Sequence, residues 1–294
     1  MTKPDNSSFT PPTAEQIGER LQQCAPQQAS RFWSIAPLVV LGVVAGFTFT
    51  SSGILAALMP FVIVIGLMFA MGWRVRSLRR LEQRAVRVPE LAMMRYDVQA
   101  LRLGWRLLPQ LRTLHELHGR TVAVMAMCLD QVGAYEAAIV AYDDLIMRLP
   151  SDHPTTLQLV IQRTIVQLMC DDLTDADDAL RRLRGMVEPF ASTPIGASYH
   201  LAGLLQQVQT HHFADALDHA ENLVEQLRPL GIDAGYGYAL MALSHYKTNG
   251  PDADTWWSHA TMLLPPATLI ARFSQLGAIR DLTPATMPQT IGKS

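Results

Sequence analysis

His115-Glu-Leu-His118 is the stretch of this 294-residue chain closest to a metal-binding pattern. Two histidines four residues apart with a glutamate between them share one helix face and hold zinc. Here the separation is three and no third ligand stands nearby, so a solvated helix end is expected. His211-His212, followed by His219, reads likewise as a set of exposed histidines at a turn. Asp171-Asp172, Asp175 and Asp177-Asp178 form a dense acidic cluster. A calcium loop needs a central glycine and a closing glutamate, both missing here. Carboxylates do suit a helix N-terminus, where they complement the dipole. No phosphate-cradling glycine loop, nucleophile elbow or Cys-x-x-Cys occurs. The chain is therefore expected not to be an enzyme, with no catalytic residue, metal or cofactor. Three cysteines (Cys24 in a polar tail, Cys128 and Cys170 in apolar stretches) make no disulfide framework and suit a reducing environment. Of the neighbours Trp256 and Trp257, one is expected in the core; the other is a candidate exposed anchor.

The elements around these residues begin with a membrane signal. Hydrophobic residues make up 49% of the chain and charged residues 17%, against about a quarter charged in an ordinary soluble protein. From Phe32 to Trp73 there is no Asp, Glu, Lys, Arg or His. As helix that run would measure roughly 63 Å, about twice the hydrocarbon core. Thr50-Ser-Ser-Gly53 divides it, so two transmembrane helices are expected at about 33–50 and 54–73. Phe32, Trp33 and Trp73 would share one membrane face, as interfacial aromatics do. Arg74, Arg76, Arg79 and Arg80 follow at once and are expected to touch anionic lipid head groups, marking the cytoplasmic side. Both termini would then be cytoplasmic, in an integral protein of the inner membrane.

Charge divides along the same line. Residues 1–88 hold nine Lys/Arg against four Asp/Glu, which leaves fifteen against twenty-two in 89–294. An acidic main body argues against nucleic acid, which needs a basic footprint. Residues 1–31 read as a polar, mostly disordered tail with a helix around Ala14–Gln23, and 282–294 as a second disordered tail.

Between the tails lies a repeat. Pro109, Pro150, Pro189, Pro229 and Pro265 are 41, 39, 40 and 36 residues apart. About ten residues before each of the first four stands Ala-Leu or Ala-Ile: Ala100-Leu101, Ala138-Ile139, Ala179-Leu180 and Ala216-Leu217. A small alanine lets two helices approach, a proline ends the second helix, and stacked pairs share a core that no single pair could cover. The expected fold is all-α: a two-helix transmembrane hairpin, a basic juxtamembrane helix start at 74–88, and an α-solenoid of about five helical hairpins over 80–281.

The best-preserved unit carries Ala126, Gly133, Tyr135, Ala138, Tyr142 and Pro150. In those positions it resembles a tetratricopeptide repeat, with Val122 and Leu145 departing from the pattern. Gln206–Phe213 and Leu230–Tyr238 are also similar to uncharacterised bacterial membrane-anchored proteins with such repeats. The resemblance implies a concave groove that binds protein, lined in the best unit by Arg120, Ala123, Met127 and Gln131. Helical placement adds Gln162, Arg163, Tyr199, Gln206 and His245 as lining residues. The expected function is a membrane-anchored scaffold or adaptor for a membrane-associated protein partner. The alternatives are an accessory subunit of a transporter or channel complex that assembles through the hairpin and, more distantly, an enzyme with an unrecognised site.

Overall fold

The computed structural model describes residues 10–26, 54–150, 153–218 and 220–279. Among them every regular element is helical. The first arm of the expected hairpin (33–50), its turn, and the tails 1–9, 27–31 and 282–294 lie outside the described residues. Contacts divide the chain into two compact units, Gly18–Cys128 and Leu129–Ser294, with Pro11–Ile17 grouped with the second and Met1–Thr10 with the first.

The first unit is built on helix α2 (Ile54–Met93), which runs without a break through Pro60 and the arginine run. Its character changes along its length. Ile65, Met68, Phe69, Met71 and Trp73 are exposed, Phe69 at 79%. Arg74, Arg76, Arg79 and Arg80 are exposed too, and burial begins only at Ala85 and Val88. Among the described residues no helix is long and apolar enough to cross a membrane. The described side chains of α2 begin at Ile65, so the apolar stretch is represented there by its final part.

From Ala85 onward α2 pairs with α3 (Asp97–Leu107), which ends in a 3-10 turn at Leu108–Gln110. Gly104 on α3 makes room for the next helix, α4 (His115–Gln131). A Cβ at Gly104 would lie 2.7 Å from Cγ of Met125 and 2.8 Å from its sulfur. The N-terminal helix α1 (Ala14–Gln23) opens with a capping box, Thr13 and Gln16 each accepting the other's backbone N–H. Its Leu21 is buried, as is Cys24 just beyond its end, and its Arg20 lies over the Trp105 ring at 5.2 Å. The helix expected around Ala14–Gln23 is therefore present with those bounds, and its buried Ile17 and Leu21 pack it down within a stretch that its polarity marks as tail.

The second unit continues the pairing. Helix α5 (Tyr135–Ile146) follows α4, and α6 (Pro154–Met169) pairs with α7 (Leu173–Val187). Then α8 (Pro194–Gln209) pairs with the shorter α9 (Phe213–Leu217) and α10 (Ala220–Leu227), and α11 (Ala234–Lys247) with α12 (Ala253–Leu263). One core runs through it, from Leu157 and Ile161 through Leu205 and Leu240 to Trp257 and Ile279. Ala126, Ala138 and Tyr142 are all buried, as the small and aromatic positions of the best unit require.

A single turn geometry recurs. Among the described residues the positive-φ positions outside glycine are Arg95, Asp171, His211 and Asn249, and Gly133 joins them at φ 79°. They lie 38, 38, 40 and 38 residues apart in chain order. In each case the residue that follows donates its N–H back five positions: Tyr96 to Leu91, Ala134 to Leu129, Asp172 to Gln167, His212 to Gln207, Gly250 to His245. The positive-φ residue itself donates back three positions. This is the Schellman ending, which satisfies the last carbonyls of a helix and turns the chain into the next. The proline ruler falls in phase with it: Pro109, Pro189 and Pro229 each occupy the second position of a 3-10 turn that closes a second helix.

Candidate docking surface

The side chains that could carry metal chemistry do not converge. Among the described residues no group of three or more His, Cys, Asp or Glu is placed to hold a metal. His115 is exposed, whereas His118 is buried within α4 and is not the solvated helix-end residue its position suggests. His211 is a turn residue, His212 meets the Thr210 hydroxyl at 2.8 Å, and His219 lies outside the described residues. In the acidic cluster, Asp171 occupies a positive-φ turn, Asp172 the cap of α7 and Asp175 its first turn, which is where a helix dipole favours carboxylates. Cys128 is buried, and burial pushes its thiol well above its ordinary value, with the Asp97 carboxylate adding to the rise.

The expected groove-lining residues divide into two sets. Arg120, Met127 and Gln131 are exposed along α4, with Ala123 half-buried among them. The others serve the joints between helices. Arg163 pairs with Asp143 of α5 at 2.5 Å, Gln206 donates to Asp177 of α7 at 2.7 Å, and the Tyr199 hydroxyl reaches the Leu180 carbonyl at 3.4 Å. Each links a first helix to the second helix of the pair before it. Gln162 is half-buried beside Arg163, and His245 is buried, its ring stacked on Trp256 at 6.5 Å. Trp257 is in the core, and Trp256 is half-buried against Tyr238 and His259, so neither tryptophan stands free as an anchor.

Two residues absent from those expectations form a buried ion pair. Arg272 is the last residue of α13 (Pro266–Arg272), and Asp130 lies near the end of α4. Their side chains are 9% and 6% exposed and meet at 2.8 Å. Arg272 also donates to the Asp130 backbone carbonyl at 2.9 Å and sits over the Tyr135 ring at 5.9 Å. A carboxylate at that point suits neither the low-dielectric interior nor the negative end of a helix dipole. Burial accordingly raises the Asp130 carboxyl above its ordinary range, and the facing guanidinium of Arg272 pulls against that rise. The sequence carries one faint signal of this pair: Arg272 is the only Lys, Arg, Asp or Glu between Asp254 and Arg280. A comparison of the chain with protein-family models, with curated proteins and with solved structures finds no match.

Proposed function

We propose that the chain is a membrane-anchored scaffold of tetratricopeptide-like helix pairs that docks another protein at the cytoplasmic membrane face. The observation that carries this reading is the exposed apolar length of α2, with Ile65, Met68, Phe69, Met71 and Trp73 turned to the surroundings on successive turns. Water gives such a rod nothing in return for its exposed area, and a bilayer does. The uncharged part of the helix, Ile54–Trp73, spans roughly 30 Å, the thickness of a hydrocarbon core. Arg74, Arg76, Arg79 and Arg80 follow at the depth where lipid phosphates lie, and 33–50 would return the chain through the membrane. The recurring turns supply the docking half of the reading. Stacked helix pairs present a continuous face of first helices, and tethering raises the local concentration of a membrane partner.

Alkaline carbonate washing of membranes tests the anchor. The full chain is expected to stay with the membranes, and a chain lacking residues 32–73 to be released. Release of both would sink the anchor. A photo-crosslinking residue at exposed Met127 tests docking in the same membranes, and the absence of any crosslinked protein would count against a scaffold.

A further inference from the structure

The segment that follows the last helix pair does not sit where an end cap belongs. In a stack of helix pairs each pair meets only its neighbours, so a cap touches the last pair alone. Here α13 and the 3-10 segment Ser274–Ile279 cover the last pair and, in addition, bond to the C-terminal ends of two earlier first helices. Ser274–Ile279 packs on α11, Gln275 bonds Gln209 at the end of α8 at 3.2 Å, and Arg272 bonds Asp130 of α4, 142 residues away in sequence. Phe273 meets the Tyr236 ring edge-on at 5.9 Å, and Leu269, Leu276 and Ile279 are fully buried.

The segment is built as a ligand is. Leu269 and Arg272 lie one turn apart on α13, and Phe273, Leu276 and Ile279 continue at the three-residue spacing of the 3-10 segment. Helical geometry stops at Phe273, whose φ of −126° and ψ of 95° are extended, so the segment follows the surface instead of forming another helix of the stack. The buried ion pair points the same way. Replacing such a pair by apolar residues is often neutral or stabilising, and its attested use is in choosing partner and register. Asp130, sited where a carboxylate is otherwise disfavoured, selects for a guanidinium.

We propose that the surface beneath residues 266–279 is the docking groove of this chain, and that this segment is its resident occupant, exchanged for a partner's segment of the same chemistry. That partner segment carries an arginine for Asp130 and Tyr135, an aromatic residue directly after it, and aliphatic residues four and seven positions beyond the arginine. The inference rests on the docking reading above and names the chemistry of its partner.

The test uses the full chain in detergent micelles. By hydrogen exchange, amides of 268–279 are expected to exchange together about tenfold or more faster than those of α8 and α11, as a segment that lifts off locally does. A labelled peptide with the sequence Pro266–Ile279 is expected to bind an Arg272→Ala chain about tenfold or more tightly than the unaltered chain, because the resident no longer competes. The same peptide carrying Arg272→Ala is expected to bind neither. Arg272→Lys, which keeps the charge and loses the two-pronged contact, is expected to fall between, and it serves if Arg272→Ala does not fold. Exchange of the segment at the rate of α11, or equal peptide binding by the altered and unaltered chains, overturns the proposal. Neither readout involves a membrane or a cellular partner. A failed carbonate or crosslinking result and a failed exchange or peptide result are therefore told apart.

Discussion

The recurring turn makes a prediction in which two glycine-to-alanine changes move stability in opposite directions. Gly133 closes α4 at φ 79°, and a Cβ added there meets nothing within 4 Å. The cost of Gly133→Ala is therefore in the backbone alone: roughly 1–2 kcal/mol for a left-handed alanine. It is offset by the ~0.4–1 kcal/mol gained from a stiffer unfolded chain. A net loss of about 1 kcal/mol follows, or a fall of ~2–4 °C in midpoint for a domain of this size. Gly185 lies inside α7, is exposed, and also has nothing within 4 Å of its added Cβ. Gly185→Ala is expected to gain about 0.5–1 kcal/mol, the ordinary helix-interior difference. Gly133→Asn should lose less than half of what alanine loses, because asparagine tolerates the left-handed region. Thermal and urea melts followed by far-UV circular dichroism read all three. A Gly133→Ala chain as stable as Gly185→Ala would mean that the turn is not left-handed at 133, and the five-turn register would fail with it.

Three further outcomes are expected. Gly196→Ala should cost more than Gly104→Ala in the same melts, because its Cβ would lie 2.5 Å from the Phe190 carbonyl oxygen and 2.6 Å from that of Ala191, both backbone, whereas Gly104 faces a flexible methionine that can yield. Stability should fall as pH rises above 9.0, because the unfolded Cys128 thiol then ionises while burial keeps the folded one protonated. The slope approaches ~1.4 kcal/mol per pH unit at most, and an unchanged slope in Cys128→Ala would refute the assignment. Arg163→Ala should change stability by no more than about 1 kcal/mol, since its partner Asp143 is 42% exposed and water screens the pair; a loss several times larger in a double-mutant cycle would contradict this.

Residues whose job is local were legible before the structure, and residues whose job is distant were not. The prolines that end second helices, the glycine at 133, and the small and aromatic positions Ala126, Ala138 and Tyr142 act within one helix pair, so their spacing along the chain is their spacing in space. The other four recurring turns carry Arg95, Asp171, His211 and Asn249 in place of glycine; Asn249 is the one whose type and following glycine mark a turn plainly, Asp171 and His211 carry a weaker preference for left-handed backbone, and Arg95 carries none. His118 shows the limit of reading a helix end from polarity, since a histidine one turn into α4 is already beneath the surface. Arg163, Tyr199 and Gln206 lie on first helices as expected, but their partners Asp143, Leu180 and Asp177 come from the preceding pair, and one sequence does not reveal such cross-pair bonds. Asp130 and Arg272 are the extreme case, a contact closed only when the chain returns on itself.

The continuity of α2 decides how an anchor would act on the domain it carries. Ala85 and Val88 are buried as members of the first helix pair, and the same helix runs back without interruption to Ile54. No flexible linker separates the apolar stretch from the first pair, so tilt and rotation of the one are imposed on the other. Between Trp73 and Ala85 lie about 18 Å of helix, which in a bilayer-anchored chain would lift the first pair clear of the head groups while holding its orientation. A tether of glycine and serine would raise local concentration and leave orientation free. Were the apolar stretch the anchor proposed above, a continuous helix would fix both, and a docked protein would meet the first pair at one depth and on one side. It also sets where the chain can be cut: a soluble fragment beginning at Val88 would remove Ala85 from the first pair, whereas one beginning at Arg79 keeps both buried residues on the helix that α3 covers.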